Sequence, residues 1–204
     1  MDTKIMVLYY SMFGNTYKMA KAVCSGIKKE NGIPLLRTVP ELLPKEIIEN
    51  DEKIKTAKEA QKDVAIVKLE ELEEIDGIVV GSPTRFGNMC SQMRNFFDTT
   101  GDIWLKGALI NKPAGFFCCT ATMHGGQETT LISMMFTLLH QGALILGIPY
   151  SVKEIIETKS GGTPYGPTAV VGLDASSPPN VTDLKVSEEL GKRVTIISGK
   201  LKNV

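Results

Sequence analysis

The stretch that decides the fold is KIMVLYYSMFGNT, residues 4–16. Its first half, KIMVLYY, is a nearly continuous apolar run, which is typical of a strand buried on both faces in a parallel sheet. Its second half, SMFGNT, is a turn that opens directly onto residues 16–29, where apolar side chains recur at helical spacing. A buried strand followed at once by a helix is the first unit of a layered α/β domain.

The same alternation continues along the chain. Apolar runs predict four further strands, at residues 33–39, 77–81, 113–119 and 143–148. Helical spacing predicts helices at residues 89–99 and 127–141 and a terminal amphipathic helix marked by Val186, Leu190, Val194, Ile197 and Leu201. Strand–helix alternation repeated about five times predicts a single α/β domain over residues 1–204, built on a parallel sheet.

Two stretches interrupt this alternation. Residues 40–63 are polar and rich in lysine and glutamate, and they are interpreted as a surface insertion with some helix, with disorder as the alternative. Residues 158–180 are rich in glycine and proline and are predicted to form a long loop. Neither stretch changes the predicted fold class.

The charge balance excludes some classes of function. Lysine plus arginine number 23 and aspartate plus glutamate number 23, so the formal net charge is zero. A nucleic-acid-binding protein would show a basic excess, and this balance also argues against a strongly acidic electron carrier. A net charge near zero does little to prevent self-association, so a homo-oligomer is plausible.

Neither the cysteines nor the longest uncharged stretch indicates another kind of site. The four cysteines form no CxxC pair, and adjacent Cys118 and Cys119 are predicted to be buried thiols that point to opposite sheet faces in a reduced, cytoplasmic protein, with no metal site. No signal peptide pattern is visible at the amino terminus. Between Glu128 and Lys153 the chain carries no formal charge over a length that would span a bilayer. Its polar residues, glycines and proline favour a buried helix, a turn at Gly142 and a buried strand instead of a membrane span.

Three loops are expected to meet at one edge of the sheet. Right-handed crossovers bring the carboxyl ends of parallel strands together, and ligands of such folds bind there. The loops that follow the first, third and fourth strands are SMFGNT (11–16), SPTRFGNM (82–89) and TATMHGGQE (120–128). Their residue types therefore indicate what the edge binds.

The first loop has the features of an anion site, and the other two suit a flat ligand. Serine and threonine hydroxyls, a glycine and a helix start place N–H and O–H donors together, although the loop lacks the lysine of a Walker A motif and the GxGxxG pattern. The second loop combines a rigid proline with a hydroxyl, a cation and an aromatic ring, and the third combines small hydroxyl residues with two glycines. Together the loops predict a ligand with a phosphate at one end and a flat ring at the other.

The chain resembles the WrbA family of NAD(P)H:quinone oxidoreductases, which are flavodoxin-like FMN proteins. The motifs VLYYSMFGN, GSPTRFGNM, FDTTGDIW, GGQETT and GGTPYG occur in this order, so the resemblance covers essentially the whole chain. It implies a doubly wound five-stranded parallel sheet of order 2-1-3-4-5 with helices on both faces. It also implies bound FMN, NADH or NADPH as co-substrate, and a homodimer or homotetramer with flavin sites near subunit interfaces.

The resemblance also implies site residues. Those that match the family's FMN-binding positions are Ser11, Met12, Phe13, Gly14, Asn15, Thr16, Pro83, Thr84, Arg85, Phe86, Gly87, Asn88, Cys119, Thr120, Ala121, Thr122, Met123, His124 and Gly125. His140 matches a histidine that reaches the flavin of a neighbouring subunit and is a candidate catalytic residue. Trp104 matches a wall of the substrate pocket, and Phe13 a residue that contacts the nicotinamide nucleotide.

The activity that the resemblance implies is the two-electron reduction of quinones to hydroquinones, by ping-pong hydride transfer through FMN. The chain departs from the family pattern at Phe13, which is often tyrosine, and at Cys118, Cys119 and Ala121, where a Ser/Thr-Gly pattern is more usual. The alternatives are a flavodoxin-type electron carrier and a flavin-free scaffold or regulatory protein derived from an FMN-binding ancestor. The resemblance identifies neither the physiological quinone nor the preferred nicotinamide nucleotide.

Overall fold

The computed structural model of the chain describes residues 3–202, and within them one parallel sheet organises the fold. The strands of this sheet are β1 Lys4–Tyr9, β2 Ile33–Thr38, β3 Gly77–Pro83, β4 Pro113–Thr120, β5 Leu144–Ile145 and β6 Thr168–Val170. Their order is β2-β1-β3-β4-β5, with β6 also paired to β4. The doubly wound order 2-1-3-4-5 is therefore confirmed.

Helices cover both faces of the sheet. The helices are α1 Asn15–Lys29, α2 Lys45–Asn50, α3 Glu52–Glu59, α4 Ser91–Asp98, α5 Gly101–Leu105, α6 Gln127–His140, α7 Glu154–Glu157 and α8 Val181–Leu201, with a 3₁₀ helix at Leu69–Leu72. Side chains of α1 and α8 share one hydrophobic core with alternate residues of the central strands, and α4 and α6 share the other. Cys118 lies in the core formed with α4 and α6, and Cys119 lies in the core formed with α1 and α8. The two thiols therefore point to opposite faces of the sheet, as the strand alternation predicts.

The far edge of the sheet differs from the sequence-based prediction. The strand predicted at 143–148 has only two residues, and the loop predicted at 158–180 contains β6. Beyond β5 the chain turns away from β4 and contacts Pro164 instead. The backbone N–H of Ile148 donates to the Pro164 carbonyl oxygen (2.8 Å). Gly147 lies so close to the same oxygen that a Cβ on it would be only 2.2 Å away. The vacated half of β4 pairs with β6 instead, at Cys118–Thr120.

The insertion at residues 40–63 is folded, in contrast to the disordered alternative. It contains α2 and α3, and Asp51 caps α3 by accepting hydrogen bonds from the backbone N–H groups of Lys53 and Ile54. Ile54 and Ala57 are buried. Two apolar residues spaced three apart on a short polar helix are a weak sequence signal, yet they form the side of α3 that packs against the domain.

Helices α1 and α8 cross at very short range. A Cβ on Gly26 would lie 1.9 Å from the carbonyl oxygen of Glu188, and one on Gly191 would lie 2.2 Å from that of Val23. These neighbours are backbone atoms and cannot move aside as a flexible side chain would. Glycine at both positions is therefore what allows the two helices to pack against each other.

None of the helices within residues 3–202 is long and apolar enough to cross a membrane. The uncharged stretch that raised this question forms α6, the turn at Gly142 and β5, as the interpretation as a helix, a turn and a strand predicts. Its strand was predicted to be buried, but Leu144 is exposed and Ile145 is half-buried, because β5 lies at the edge of the sheet.

We expect Gly26→Ala to destabilise the protein strongly, because one added methyl group must push α1 and α8 apart. Overpacking of this kind costs about 1–3 kcal/mol and more where backbone must move, so the loss of unfolding free energy should reach about 3 kcal/mol in urea titrations. Gly101→Ala is the matched control, since a Cβ there meets no atom within 4 Å. Equal stability of the two variants would contradict the close helix crossing.

Candidate active site

Three loops and a fourth segment form a cleft at the carboxyl edge of the sheet. The enclosed part of the cleft has a volume of about 150 Å³. Pockets that enclose a whole small molecule usually measure roughly 300–1,000 Å³, so a cofactor seated here would be only partly enclosed. The residues that line the cleft are Ser11, Met12, Phe13, Asn15, Thr16, Pro83, Thr84, Arg85, Cys119, Thr120, Ala121, Val171, Gly172, Leu173 and Ala175.

The first loop presents unsatisfied donors. Gly14 precedes α1 with a left-handed φ of 83°, and no side chain caps this helix. The first N–H groups of an α-helix have no partner within the helix, and the helix dipole adds a partial positive charge. Ser11 Oγ is buried and has no hydrogen-bond partner among the residues that the structure describes. This buried, unpaired hydroxyl beside free N–H groups fits a phosphate ligand.

The insertion holds this loop from behind. Lys58 Nζ donates to the carbonyl oxygen of Ser11 (3.2 Å), and Gln61 Nε2 lies 3.4 Å from the same oxygen. Lys58 also pairs with Glu41, which accepts a hydrogen bond from the Tyr10 hydroxyl (3.0 Å). Burial alone would raise the pKa of Glu41, but hydrogen bonds from Lys58, the Leu43 N–H and Tyr10 hold it below its ordinary value. The Glu41 carboxylate therefore stays ionised under the loop.

The second loop is a tight turn with an exposed aromatic tip. The backbone N–H of Arg85 donates to the Asn88 carbonyl (2.8 Å) and the N–H of Asn88 donates back (3.1 Å). The two central residues, Phe86 and Gly87, have φ values of 52° and 78°, as a type I′ turn requires. A left-handed phenylalanine is strained, and its ring is fully exposed. Such strain at a loop tip is a feature of binding loops, and here it presents a flat apolar ring.

Arg85 joins the second loop to the first. One guanidinium nitrogen donates to the Thr84 carbonyl (2.8 Å), and the other lies 3.4 Å from Met12 Sδ. The guanidinium therefore lies along the wall of the cleft and gives it a positive charge.

The second and third loops pack against each other through glycines. A Cβ on Gly126 would lie 2.7 Å from the Cα of Gly87. The Thr84 hydroxyl lies between the loops, where it accepts hydrogen bonds from the Gly87 N–H (3.2 Å) and the Thr130 hydroxyl (2.8 Å). Its own proton points to the Gly125 carbonyl (3.4 Å). The hydroxyl of Thr84 is thus committed to joining the two loops.

The third loop contributes its first residues to the cleft. Cys119, Thr120 and Ala121 line it, whereas Met123 and His124 border a separate depression shared with residues 158–163. Cys119 is buried, and burial raises the pKa of its thiol to about 12, so it is protonated at neutral pH. The structure therefore offers no thiolate nucleophile at this position.

Trp104 and His140 lie outside the cleft. Trp104 on α5 is 54% exposed, and His140 is at the end of α6. Both line a surface depression that also includes Phe136 and Arg94. Within a single chain these two side chains are not brought together with the three loops, so their implied roles require a second subunit.

Sequence reasoning missed the fourth segment, residues 171–175. Ala175, with φ of 57°, offers its carbonyl to Asn15 Nδ2 (2.8 Å), which ties the segment to the start of α1. A usable signal was present: the apolar run TAVV followed by GLDAS has the form of a short strand and a turn at the same sheet edge. The supporting residues Lys58 and Gln61 had no such signal, because they lie far from the loop in sequence.

Comparison with known proteins shows the family of this chain. Residues 3–153 match the family model described as NADPH-dependent FMN reductase. The chain is 45% identical over 204 residues to a protein of Solidesulfovibrio magneticus named NAD(P)H dehydrogenase (quinone), with 97% of this chain and 98% of the relative covered. A protein of the same name from Aromatoleum aromaticum is 43% identical, with 97% of each chain covered.

Solved structures share the fold at lower identity. A flavodoxin, WrbA-like protein from Agrobacterium tumefaciens superimposes with a TM-score of 0.66 at 22% identity, over 98% of this chain and 99% of the other. An archaeal flavodoxin gives a TM-score of 0.62 at 20% identity, over 97% and 99%. The resemblance drawn from the sequence motifs is thus confirmed by relatives that span nearly the whole chain. This chain belongs to the NADPH-dependent FMN reductase family.

Proposed function

We propose that this protein is an FMN-dependent NAD(P)H:quinone oxidoreductase that reduces quinones to hydroquinones by two electrons. The observation that carries the proposal is the first loop, where the buried Ser11 hydroxyl and the uncapped start of α1 stand without partners at the mouth of the cleft. Family membership and the relatives' names support the same activity.

The chain's own groups suit an FMN in this cleft. Residues 11–16 supply hydroxyl and N–H donors for its phosphate, which is the end that the small enclosed volume can hold. The flavin ring would lie toward residues 84–86 and 119–121, on the open side of the cleft. The remaining loop residues, Gly87, Asn88 and residues 122–125, would set the conformation of the two loops and would not contact the flavin themselves. The turn at 85–88 and the contact between Gly87 and Gly126 hold that conformation.

When bound, FMN would supply the two-electron redox chemistry between NADH or NADPH and a quinone. Arg85 contributes a positive charge at the cleft wall, which stabilises negative charge that develops nearby. The exposed rings of Phe13 and Phe86 offer apolar surface to flat substrates. Because both substrates use the same open side, they bind alternately, which is a ping-pong order.

A second subunit would complete this site. Within one chain the described cleft lining contains no histidine, whereas His140 and Trp104 lie together in an exposed depression elsewhere. We place His140 of a neighbouring copy near the quinone as a hydrogen-bond donor or proton source, and Trp104 as a wall of the substrate pocket. This arrangement requires a homodimer or homotetramer.

Gly14→Val should abolish FMN retention while the apo-protein remains folded. Valine in the left-handed conformation of Gly14, with φ of 83°, would cost about 1–2 kcal/mol. The loop should therefore change its backbone conformation, which moves the N–H groups at the helix start out of place. The measurement is flavin absorbance of the purified variant, with circular dichroism as the folding check. Gly162→Val is the matched control, because Gly162 also has a positive φ of 95° but lies between α7 and β6 instead of at the start of α1. Retained flavin in Gly14→Val would show that SMFGNT is not the phosphate site.

Ser11→Ala should change stability and affinity in opposite directions. Without FMN the substitution removes a buried hydroxyl that lacks a partner, so the apo-protein should gain roughly 1 kcal/mol of unfolding free energy. With FMN it removes a phosphate ligand, so FMN affinity should fall about tenfold. Urea denaturation and fluorescence titration measure the two effects.

Ser198→Ala is the control for the serine variant. Its hydroxyl is also buried without a partner among the described residues, but it lies on α8. It should raise apo stability and leave FMN affinity unchanged. Unaltered FMN affinity in Ser11→Ala would remove Ser11 from the proposed site.

Steady-state kinetics test the activity itself. FMN-loaded protein should oxidise NADH or NADPH in the presence of benzoquinone, and double-reciprocal plots at several quinone concentrations should be parallel. Intersecting lines would contradict the ping-pong order. No quinone-dependent oxidation of either nucleotide would contradict the enzyme proposal and favour a flavodoxin-type electron carrier.

A further inference from the structure

A second depression adjoins the cleft on the far side of Phe13, and we propose that it binds the phosphorylated adenosine end of NADPH. We call it the lysine depression; it lies between the exposed face of α1, α3 and residues 174–176, and it contains Lys18, Lys21 and Lys53. The proposal rests on the proposed function, because it assigns a place to one part of that reaction's co-substrate.

The lysine depression and the cleft are connected. Phe13 and Ala175 line both of them, and the Phe13 side chain is 36% exposed. A ligand that extends out of the cleft past Phe13 therefore enters the lysine depression. A nicotinamide dinucleotide needs such adjoining spaces, because its reacting ring and its adenosine are at opposite ends of a long molecule.

The charges in the lysine depression leave two lysines without a carboxylate. Lys53 Nζ lies 3.5 Å from a carboxylate oxygen of Asp174, so the opposite charges of these two side chains largely offset each other. Glu52 is 3.4 Å from Lys55.

Lys18 and Lys21 have no carboxylate within 4.0 Å among the residues that the structure describes. They lie on adjacent turns of α1, three positions apart, so their ammonium groups can approach one phosphate. The net charge that a ligand meets here is positive.

The shape and the apolar surface of the lysine depression suit a nucleoside. Its volume is about 610 Å³, within the roughly 300–1,000 Å³ of small-molecule pockets. Tyr17 lies in its wall and is fixed by stacking on the buried Tyr9, with ring centroids 5.6 Å apart. Lys21 Nζ lies 4.7 Å from the centre of the Tyr17 ring, which places a cation beside an aromatic surface. Ala57 and Ala60 of α3 add small apolar side chains.

A phosphate on the adenosine ribose distinguishes the two nicotinamide nucleotides. NADPH carries this extra dianionic group and NADH lacks it, whereas both carry the pyrophosphate. If Lys18 and Lys21 bind the ribose phosphate, their removal must affect NADPH more than NADH. If they were only solvated surface lysines, neither nucleotide would be affected.

The test compares the FMN-loaded protein with the double variant Lys18→Gln, Lys21→Gln. We expect kcat/KM for NADPH to fall roughly tenfold with benzoquinone as acceptor, as two partly exposed charge contacts would predict. The kcat/KM for NADH should fall by less than about fivefold. Direct calorimetric titration with adenosine 2′,5′-bisphosphate should show weaker binding to the variant by a similar factor.

Lys28→Gln is the matched control, since Lys28 is exposed on the same helix but outside the lysine depression. It should leave both nucleotides and the bisphosphate unaffected. An equal fall for NADH and NADPH, the same loss in Lys28→Gln, or no binding of adenosine 2′,5′-bisphosphate to the wild-type protein would overturn the proposal. A wild-type protein that binds the bisphosphate but oxidises neither nucleotide would contradict the enzymatic activity alone.

Discussion

The uncapped amino end of α1 is the constraint on which the rest of the site depends. No side chain caps this helix and Gly14 takes a left-handed conformation, so the first N–H groups of α1 stay free for the phosphate that we propose binds there. The loop then lacks its own support, and the domain supplies it from outside through Lys58 and Gln61 on one side and Ala175 on the other. The insertion after β2 is therefore part of the site's framework.

Much of the architecture was predictable because buried parallel strands read as apolar runs. The strands with partners on both sides, β1, β3 and β4, were predicted to within two residues, since their burial leaves little freedom of composition. β5 and β6 were not, because each is only two or three residues long and is defined by which part of β4 it pairs with. Pairing of that kind depends on the contact between Gly147 and Pro164, which no local pattern encodes.

The candidate site divides in the same way. Most of the residues in the ranges 11–16 and 83–85 line the cleft, as the sequence predicts, because they follow directly on strand ends and parallel strands end at one edge. The exposed position of Phe86 and the commitment of the Thr84 hydroxyl could not, since both follow from how the turn at 85–88 meets α6. The sequence also gave no means to separate His124 from the cleft, because that depends on the path of the loop after Ala121.

The division of one sheet edge between β5 and β6 has a consequence for the protein in a crowded solution. A long, flat edge strand exposes a row of unpaired N–H and C=O groups on which a neighbouring molecule can add a strand. Here β4 is covered by two short strands, with a close backbone approach between Gly166 and Phe116 at the junction. The interrupted edge is a poor template for intermolecular β-pairing. The short length of β5 and β6, which made them hard to predict from the sequence, therefore also protects the fold against aggregation through that edge.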